Sequence, residues 1–310
     1  LQKHWVFETL FLEHLKKHLQ RLPELQPDLE GIQRDLQQLC EANLLLAEQA
    51  DAILQGCLHG LAIVTGGPGT GKTYTAGRLI QLFWRHLSPL QKESCQIVLA
   101  APTGKAAANL QRSLYKSTEA EKERPLLQAQ TLHALLGIKP YTALEPSLQL
   151  SADLVVIDES SMIDLRMMAY LFQALKPGSR LLLLGDPHQL PSVEAGSVLL
   201  DLMRLGSASP SLPIPCRSLS HCLRVERQSL VELAQSIHHG AAHEAVSLLD
   251  QQRPGIRRLC FSEEPREALC ELTRHVIPYF ASLSEGISEQ LLDLFQSVRI
   301  LSPLRKGLLG

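Results

Sequence analysis

Several features are missing from this chain, and each absence narrows what it can be. In its 310 residues no apolar run approaches the length of about 18 residues that spans a bilayer. The first residues show no basic stretch, apolar core and small-residue cleavage site of a secretory leader. The formal net charge is only -2, so no strong field draws the whole molecule to a polyanion. Any contact with nucleic acid must come from local groups. The 7 cysteines are odd in number and none forms C-x-x-C, which reads as reduced thiols in a cytosolic protein. His133 has no second histidine at metal spacing, so no zinc site is expected. There is no internal repeat and no low-complexity tract. What remains is ordinary for a soluble globular protein, 45% hydrophobic and 20% charged, with length for about two domains. The chain starts at Leu1 and stops at Gly310 after a strand-like segment, and both ends read as cut from something longer.

The most informative stretch is LAIVTGGPGTGKT, residues 61–73. Leu61–Val64 is apolar enough for a buried strand. Gly66-Gly67-Pro68-Gly69-Thr70-Gly71-Lys72-Thr73 fits G-x-x-x-x-G-K-[ST]. Glycines in such a loop let successive N–H groups turn inward toward phosphate oxygens. Lys72 brings a point charge to the β- and γ-phosphates, and the Thr73 hydroxyl suits the Mg²⁺ that bridges them. Residues 73–83 read as a helix with its positive dipole end toward the anion. A glycine-rich turn without a ligand is the plain alternative, and the flanking strand and helix argue against it.

A second element is Leu154-Val155-Val156-Ile157-Asp158-Glu159, four apolar residues and then two acids. This is a central strand with carboxylates at its tip. Asp158 suits the Mg²⁺ shell, and Glu159 suits the base for the attacking water. The competing reading is that one of the two caps the following helix, expected over 163–175. Two other strands end in polar tips. Residues 96–101 lead into Pro102-Thr103-Gly104-Lys105, suited to a nucleic-acid phosphate or equally a plain strand-to-helix loop. Leu181–Leu184 leads into GDPHQL, where Gln189 is either a γ-phosphate sensor or part of a simple turn. So dense a run of leucines suits a parallel sheet covered on both faces.

Residues 1–48 read as helical. Phe7, Leu10, Phe11, Leu15, Leu19 and Leu22 recur at helical spacing until Pro23 and Pro27 break the run. Asp28 is placed to cap a second helix bearing Leu29, Ile32, Leu36 and Leu39. Either this segment is a helical layer on the core or it docks a partner or DNA. Gln49 begins the next helix, with an amide able to read an adenine edge. Residues 116–124 read as a charged surface insertion, and 206–217, containing GSASPSLPIP, as a linker. Beyond it a second unit, 218–310, holds two cations of interest, Arg227 in LRVERQ and Arg305 in SPLRKG. Phosphoryl transfer uses an arginine from a neighbouring domain that arrives only on closure, although an exposed arginine is usually just surface.

GGPGTGKT, APTGKAA, TLHALLG, VVIDESSMID, LLLGDPHQLPSVEAGSVL, LRVERQS and ILSPLRKG occur here in one order. That series resembles the RecD-like branch of superfamily 1 DNA helicases, which holds the alpha subunit of exodeoxyribonuclease V, over roughly residues 45–310. The resemblance implies an α/β fold. A RecA-like parallel-sheet domain over 49–205 would carry the phosphate loop, followed by a second, incomplete RecA-like domain, with ATP in the cleft between them. It implies ATP-driven 5′-to-3′ movement on single-stranded DNA, strand separation, and other exonuclease subunits as partners. By position, Gln49 would contact adenine and residues Gly67–Thr73 with Asp158 would hold ATP and Mg²⁺. Lys72, Glu159, Gln189, Arg227 and Arg305 would serve hydrolysis. Pro102, Thr103, Lys105 and His133 would meet DNA. The glutamine-glycine DNA segment and final threonine-arginine motif of that family do not occur, so the second sheet is expected to be incomplete and the chain to bind nucleotide better than it moves. A P-loop ATPase acting on a partner other than DNA is the alternative.

Overall fold

Three apolar runs, LAIVTG, LVVI and RLLLLG, form the centre of a parallel sheet. The computed structural model describes residues 2–118, 127–138, 149–190, 192, 196–208, 214–221, 228–256 and 258. Its strands are β1 (Leu61–Gly66), β2 (Ile97–Ala101), β3 (Ala129–Thr131), β4 (Leu154–Ile157), β5 (Arg180–Gly185) and β6 (Cys216–Leu219). They lie in the order β3-β2-β4-β5-β1-β6, and every pairing is parallel.

Side chains on successive strand residues point to opposite faces, and the two faces have separate cores. Leu61, Ile63, Val155, Ile157, Leu181 and Leu183 belong to one. Ala62, Val64, Leu154, Val156, Leu182 and Leu184 belong to the other. The first face is covered from α1 (Gln2–Leu19), α7 (Leu132–Leu135), α8 (Leu165–Ala174) and α9 (Val198–Ala208). The second is covered from α2 (Leu29–Glu41), α3 (Ala47–Leu58), α4 (Lys72–Arg85) and α6 (Gly104–Thr118). Burial on both sides explains why β1, β4 and β5 carry apolar residues without alternation. The short α5 (Pro89–Ser94) is exposed, and its start is closed by a reciprocal Ser88–Gln91 capping box.

The N-terminal segment is part of this core and straddles the sheet. Phe11 of α1 meets Phe172 of α8 edge-on at 5.2 Å, and Phe7 meets Tyr170 at 5.5 Å. Asp28 caps α2 as expected, accepting from the Gly31 N–H at 3.1 Å. The apolar stripe was expected to run on to Leu22, but α1 ends at Leu19 and Leu22 is 86% exposed. The connection between the two helices passes beneath the sheet. His18 Nε2 meets the Gly60 carbonyl at 2.9 Å, the Glu24 N–H donates to the Gly178 carbonyl at 2.9 Å, and Arg180 Nη1 donates to the Leu25 carbonyl.

Arg180 is 1% exposed and has no carboxylate partner among the described residues. Its Nε donates to the Cys57 carbonyl at 3.1 Å, its Cζ lies 5.1 Å from the Phe83 ring centroid, and Nη2 has no hydrogen-bond partner among the described residues. Burial pushes this guanidinium down to about 10.

The expected linker over 206–217 is corrected by the structure. Helix α9 continues to Ala208, Ile214 is buried, and Cys216–Leu219 joins the sheet beside β1. The Gly-Ser-Pro composition hid this strand because CRSL, four residues with two of them polar, gives little apolar signal. The chain divides into two compact units, Leu1–Val225 and Glu226–Gly310. In the second, α10 (Gln228–His238) and α11 (Ala242–Asp250) form a hairpin, turned at Gly240 with φ +69°. Ser229 donates to the Pro254 carbonyl at 2.7 Å, and Arg253 pairs with Glu232 at 2.6 Å. Strands and helices expected beyond residue 258 lie outside the described residues. No helix among the described residues is long and apolar enough to cross a membrane.

Candidate nucleotide site

The C-terminal ends of β1 and β4, with β5 between them, bring the two chemical motifs together. This is where open parallel sheets receive ligands. After β1 the chain curls through Gly69 and Gly71, at φ +78° and +88°, a region that side chains resist. Gly71 is the N-cap of α4, so the helix starts on Lys72 with its positive end at the loop. Thr70 is buried and its hydroxyl donates to the Gly67 carbonyl at 3.0 Å. The Lys72 ammonium folds back over the loop, donating to the Gly66 carbonyl at 2.5 Å and the Gly67 carbonyl at 2.9 Å.

Asp158 sits past the tip of β4, 8% exposed. Its Oδ2 accepts from the Thr73 hydroxyl at 3.4 Å and its Oδ1 from the Glu159 N–H at 2.8 Å. Burial pushes the Asp158 carboxyl above its usual range, opposed by the Glu159 N–H, the Lys72 ammonium and the Thr73 hydroxyl. Glu159 occupies the left-handed region at φ +52°, a conformation that costs a non-glycine residue about 1 kcal/mol or more. Its Oε2 is buried without a hydrogen-bond partner among the described residues. Burial raises this carboxyl too, reinforced by Asp158 and Asp186 and opposed by Lys72. Neither acid caps α8. Asp164 does, accepting from the Met167 N–H at 2.7 Å, and α8 starts at Leu165, two residues later than expected.

These groups line one cleft of about 700 Å³, which also reaches Pro68, Thr103, Lys105 and Gln189. The Gln189 N–H donates to the Asp186 carbonyl at 3.2 Å, fixing the turn after β5. Thr103 caps α6 by accepting from the Ala106 N–H at 3.2 Å, and Lys105 is exposed. Ala101 of β2 and Thr131 of β3 stand opposite each other, which sets Pro102, Thr103 and His133 just past one end of the sheet. Pro102 is half-buried and His133 is exposed, and neither is among the residues lining the cleft. Gln49 is 1% exposed, its amide oxygen accepting from the Leu46 N–H at 3.1 Å and its amide nitrogen donating to the Thr70 carbonyl at 3.5 Å. Arg227 and Arg305 lie outside the described residues.

Sequence reasoning missed some members of the site. Asp186, 3% exposed, adds negative charge near Glu159, and its signal was the same as that of Asp158, an acid directly after an apolar strand. Asn109 and Ser113 line the cleft with Lys105, at the spacing of four that places them on one face of α6.

The donor set fits a magnesium nucleotide. Thr73 and Asp158 offer hard oxygens side by side, and Glu159 keeps a buried oxygen without a protein partner. A Cβ placed on Gly67 would meet nothing within 4 Å, so the loop leaves open space there.

A model of the AAA domain family matches residues 44–255. The chain is 38% identical to the RecBCD enzyme subunit RecD of Mycolicibacterium smegmatis, over 85% of this chain and 48% of that one. It is 30% identical to RecD of Haemophilus influenzae, over 99% of this chain and 56% of that one. It is 31% identical to the ATP-dependent RecD2 DNA helicase of Deinococcus radiodurans, over 86% and 31%. The chain thus spans about half the length of the RecD relatives it matches. Since the matched span takes in the loop, both acids and all six strands, the chain belongs to the AAA domain family, and it is similar there to relatives that carry the RecD name.

Proposed function

We propose that this chain is the ATP-binding and hydrolysing part of a RecD-like DNA helicase. The observation that carries the proposal is the contact between Thr73 and Asp158 beneath the phosphate loop, with Glu159, whose buried Oε2 lacks a hydrogen-bond partner among the described residues, in the same cleft. Lys72 exchanges its Gly66 and Gly67 carbonyls for the β- and γ-phosphate oxygens of the substrate. Loop N–H groups and the start of α4 hold the remaining negative charge. A magnesium ion would be held by Thr73 and Asp158 and would supply positive charge against the phosphates. Glu159 orients the attacking water and takes its proton at the carboxylate. Burial, reinforced by Asp158, raises its affinity for a proton, the direction a base needs.

Gln189 reads the γ-phosphate from the turn after β5, and Arg227 and Arg305 supply positive charge from the second unit. Gln49 contributes to the adenine side by holding the loop at Thr70. Pro102, Thr103, Lys105 and His133 meet single-stranded DNA at the end of β2 and β3, and movement runs 5′ to 3′. The protein works in the cytoplasm beside other subunits of an exonuclease assembly. The names of the relatives, RecBCD enzyme subunit RecD and ATP-dependent RecD2 DNA helicase, support the ATP-dependent DNA helicase part of this reading.

The test is ATP turnover by the purified protein with and without a single-stranded oligonucleotide. Stimulation by DNA is the expected result. Turnover indifferent to DNA favours a P-loop ATPase that acts on another partner, a reading the near-neutral net charge of -2 also suits. Failure to bind nucleotide at all overturns both.

A further inference from the structure

The first turns of α3 carry three polar side chains that reach in three directions. Gln49 meets the phosphate loop at the Thr70 carbonyl, 3.5 Å away. Asp51 accepts from Arg217 of β6 through Nε. Glu48 grips the chain just beyond β6. Its Oε1 accepts the N–H groups of Ser220 and His221 at 3.0 and 3.1 Å, and its Oε2 accepts the Ser220 hydroxyl at 2.8 Å. The His221 Nδ1 stands 3.2 Å from the same carboxylate.

The third side of this triangle is direct packing between the loop and β6. Gly66 stands opposite Leu219, and a Cβ on Gly66 would fall 2.8 Å from the Leu219 carbonyl oxygen and 2.5 Å from Thr70 Oγ1. Loop, α3 and the end of β6 therefore touch pairwise. Ser220 and His221 lie past the last rung of the sheet, so the Glu48 bonds add nothing to strand pairing. A carboxylate that accepts two amides and a hydroxyl is directional in a way a simple surface ion pair is not. Those bonds hold it down to about 2 although burial opposes them.

We infer that Glu48 is a positioning residue that couples the phosphate loop to the chain leaving β6, so that nucleotide at the loop orders residues 219–221. The inference rests on the nucleotide reading of the loop. A ligand that stiffens Gly66–Thr70 removes freedom from Leu219 by contact and from α3 through Gln49. Glu48 passes that order to the two amides beyond the sheet.

Amide hydrogen exchange on the whole chain tests this, with and without magnesium and a non-hydrolysable ATP analogue. In the wild type, nucleotide is expected to slow exchange at the loop and to slow Ser220 and His221 by about tenfold. In Glu48→Ala the loop should stay protected while Ser220 and His221 exchange fast and ignore nucleotide. Glu48→Gln keeps an oxygen for both amides and should restore most of the response. A response that survives in Glu48→Ala overturns the inference. So does a wild type whose loop is protected while 219–221 is indifferent, and this result leaves the nucleotide reading intact. A loop unprotected in the wild type overturns both. Loss of thermal stability in Glu48→Ala with the nucleotide response intact would mark a merely structural role and would also overturn the inference.

Discussion

Thr73 and Asp158 are 85 positions apart in sequence, yet the threonine hydroxyl donates to the aspartate at 3.4 Å. The sheet order makes this meeting possible, since β1 and β4 end on the same side with only β5 between them. Lys72 leans over the same spot, close enough to oppose the rise in both acids.

Lys72→Ala should lose nucleotide affinity and hydrolysis together. The ammonium caps the Gly66 and Gly67 carbonyls and, on the proposed reading, would neutralise phosphate charge. A fall in kcat/KM of about 100-fold or more is expected. Steady-state turnover and calorimetric titration check it, and near-normal affinity would count against the assignment.

Glu159→Gln should separate binding from chemistry. The amide keeps the shape of the side chain, while the proton acceptor is gone. Single-turnover hydrolysis should drop by about 10²–10⁴ with affinity little changed. Retained turnover would remove Glu159 as the base.

Burial raises both Asp158 and Glu159, and since Glu159 is the proposed base, the acid limb of kcat/KM should lie above the range of a free carboxyl. Stability follows with a definite sign. The native state holds protons that the unfolded chain has already released, so the contribution of these two acids is lost as pH rises through their folded values. Glu48 behaves oppositely. Its contribution is present above its ordinary 4.5 and is lost as pH falls through about 2. A pH series of kcat/KM and of Tm reads both effects.

Two adjacent glycines should answer differently to the same substitution. Gly66→Ala forces a methyl against Thr70 and Leu219, so it should lower Tm as well as affinity. Gly67→Ala meets open space, so it should fold normally and fail only where a phosphate must approach the backbone. Tm and nucleotide Kd for the pair settle the point.

Arg180→Ala should destabilise the first unit by about 1–3 kcal/mol, the cost of leaving buried acceptors unsatisfied. It would orphan the Cys57 and Leu25 carbonyls and leave a void beside Phe83. Faster exchange between Pro23 and Pro27 would accompany the loss, and denaturant titration measures its size.

The phosphate loop and acidic strand were legible because each writes its chemistry in contiguous residues. The central strands were legible because burial on both faces leaves an unbroken apolar run. The role of Arg180 was not, since an arginine opening RLLLLG reads as a strand's exposed first residue. Its partners, Leu25 and Cys57, are contributed by distant segments. The hold of Glu48 on Ser220 was invisible for the same reason, 172 positions separating the two. Gln49 was legible in place more than in engagement. Its helix start was foreseen, whereas its bonds to Leu46 and Thr70 depend on how α3 meets the loop.

The position of Cys216–Leu219 beside Leu61–Gly66 decides how far this molecule can be shortened. A version ending at residue 208 would strip the neighbour from a six-residue ribbon that is apolar throughout its first four positions. Bare ribbons of that kind recruit one another edge to edge. Such a product should precipitate or self-associate at concentrations where one ending at residue 221 remains monodisperse.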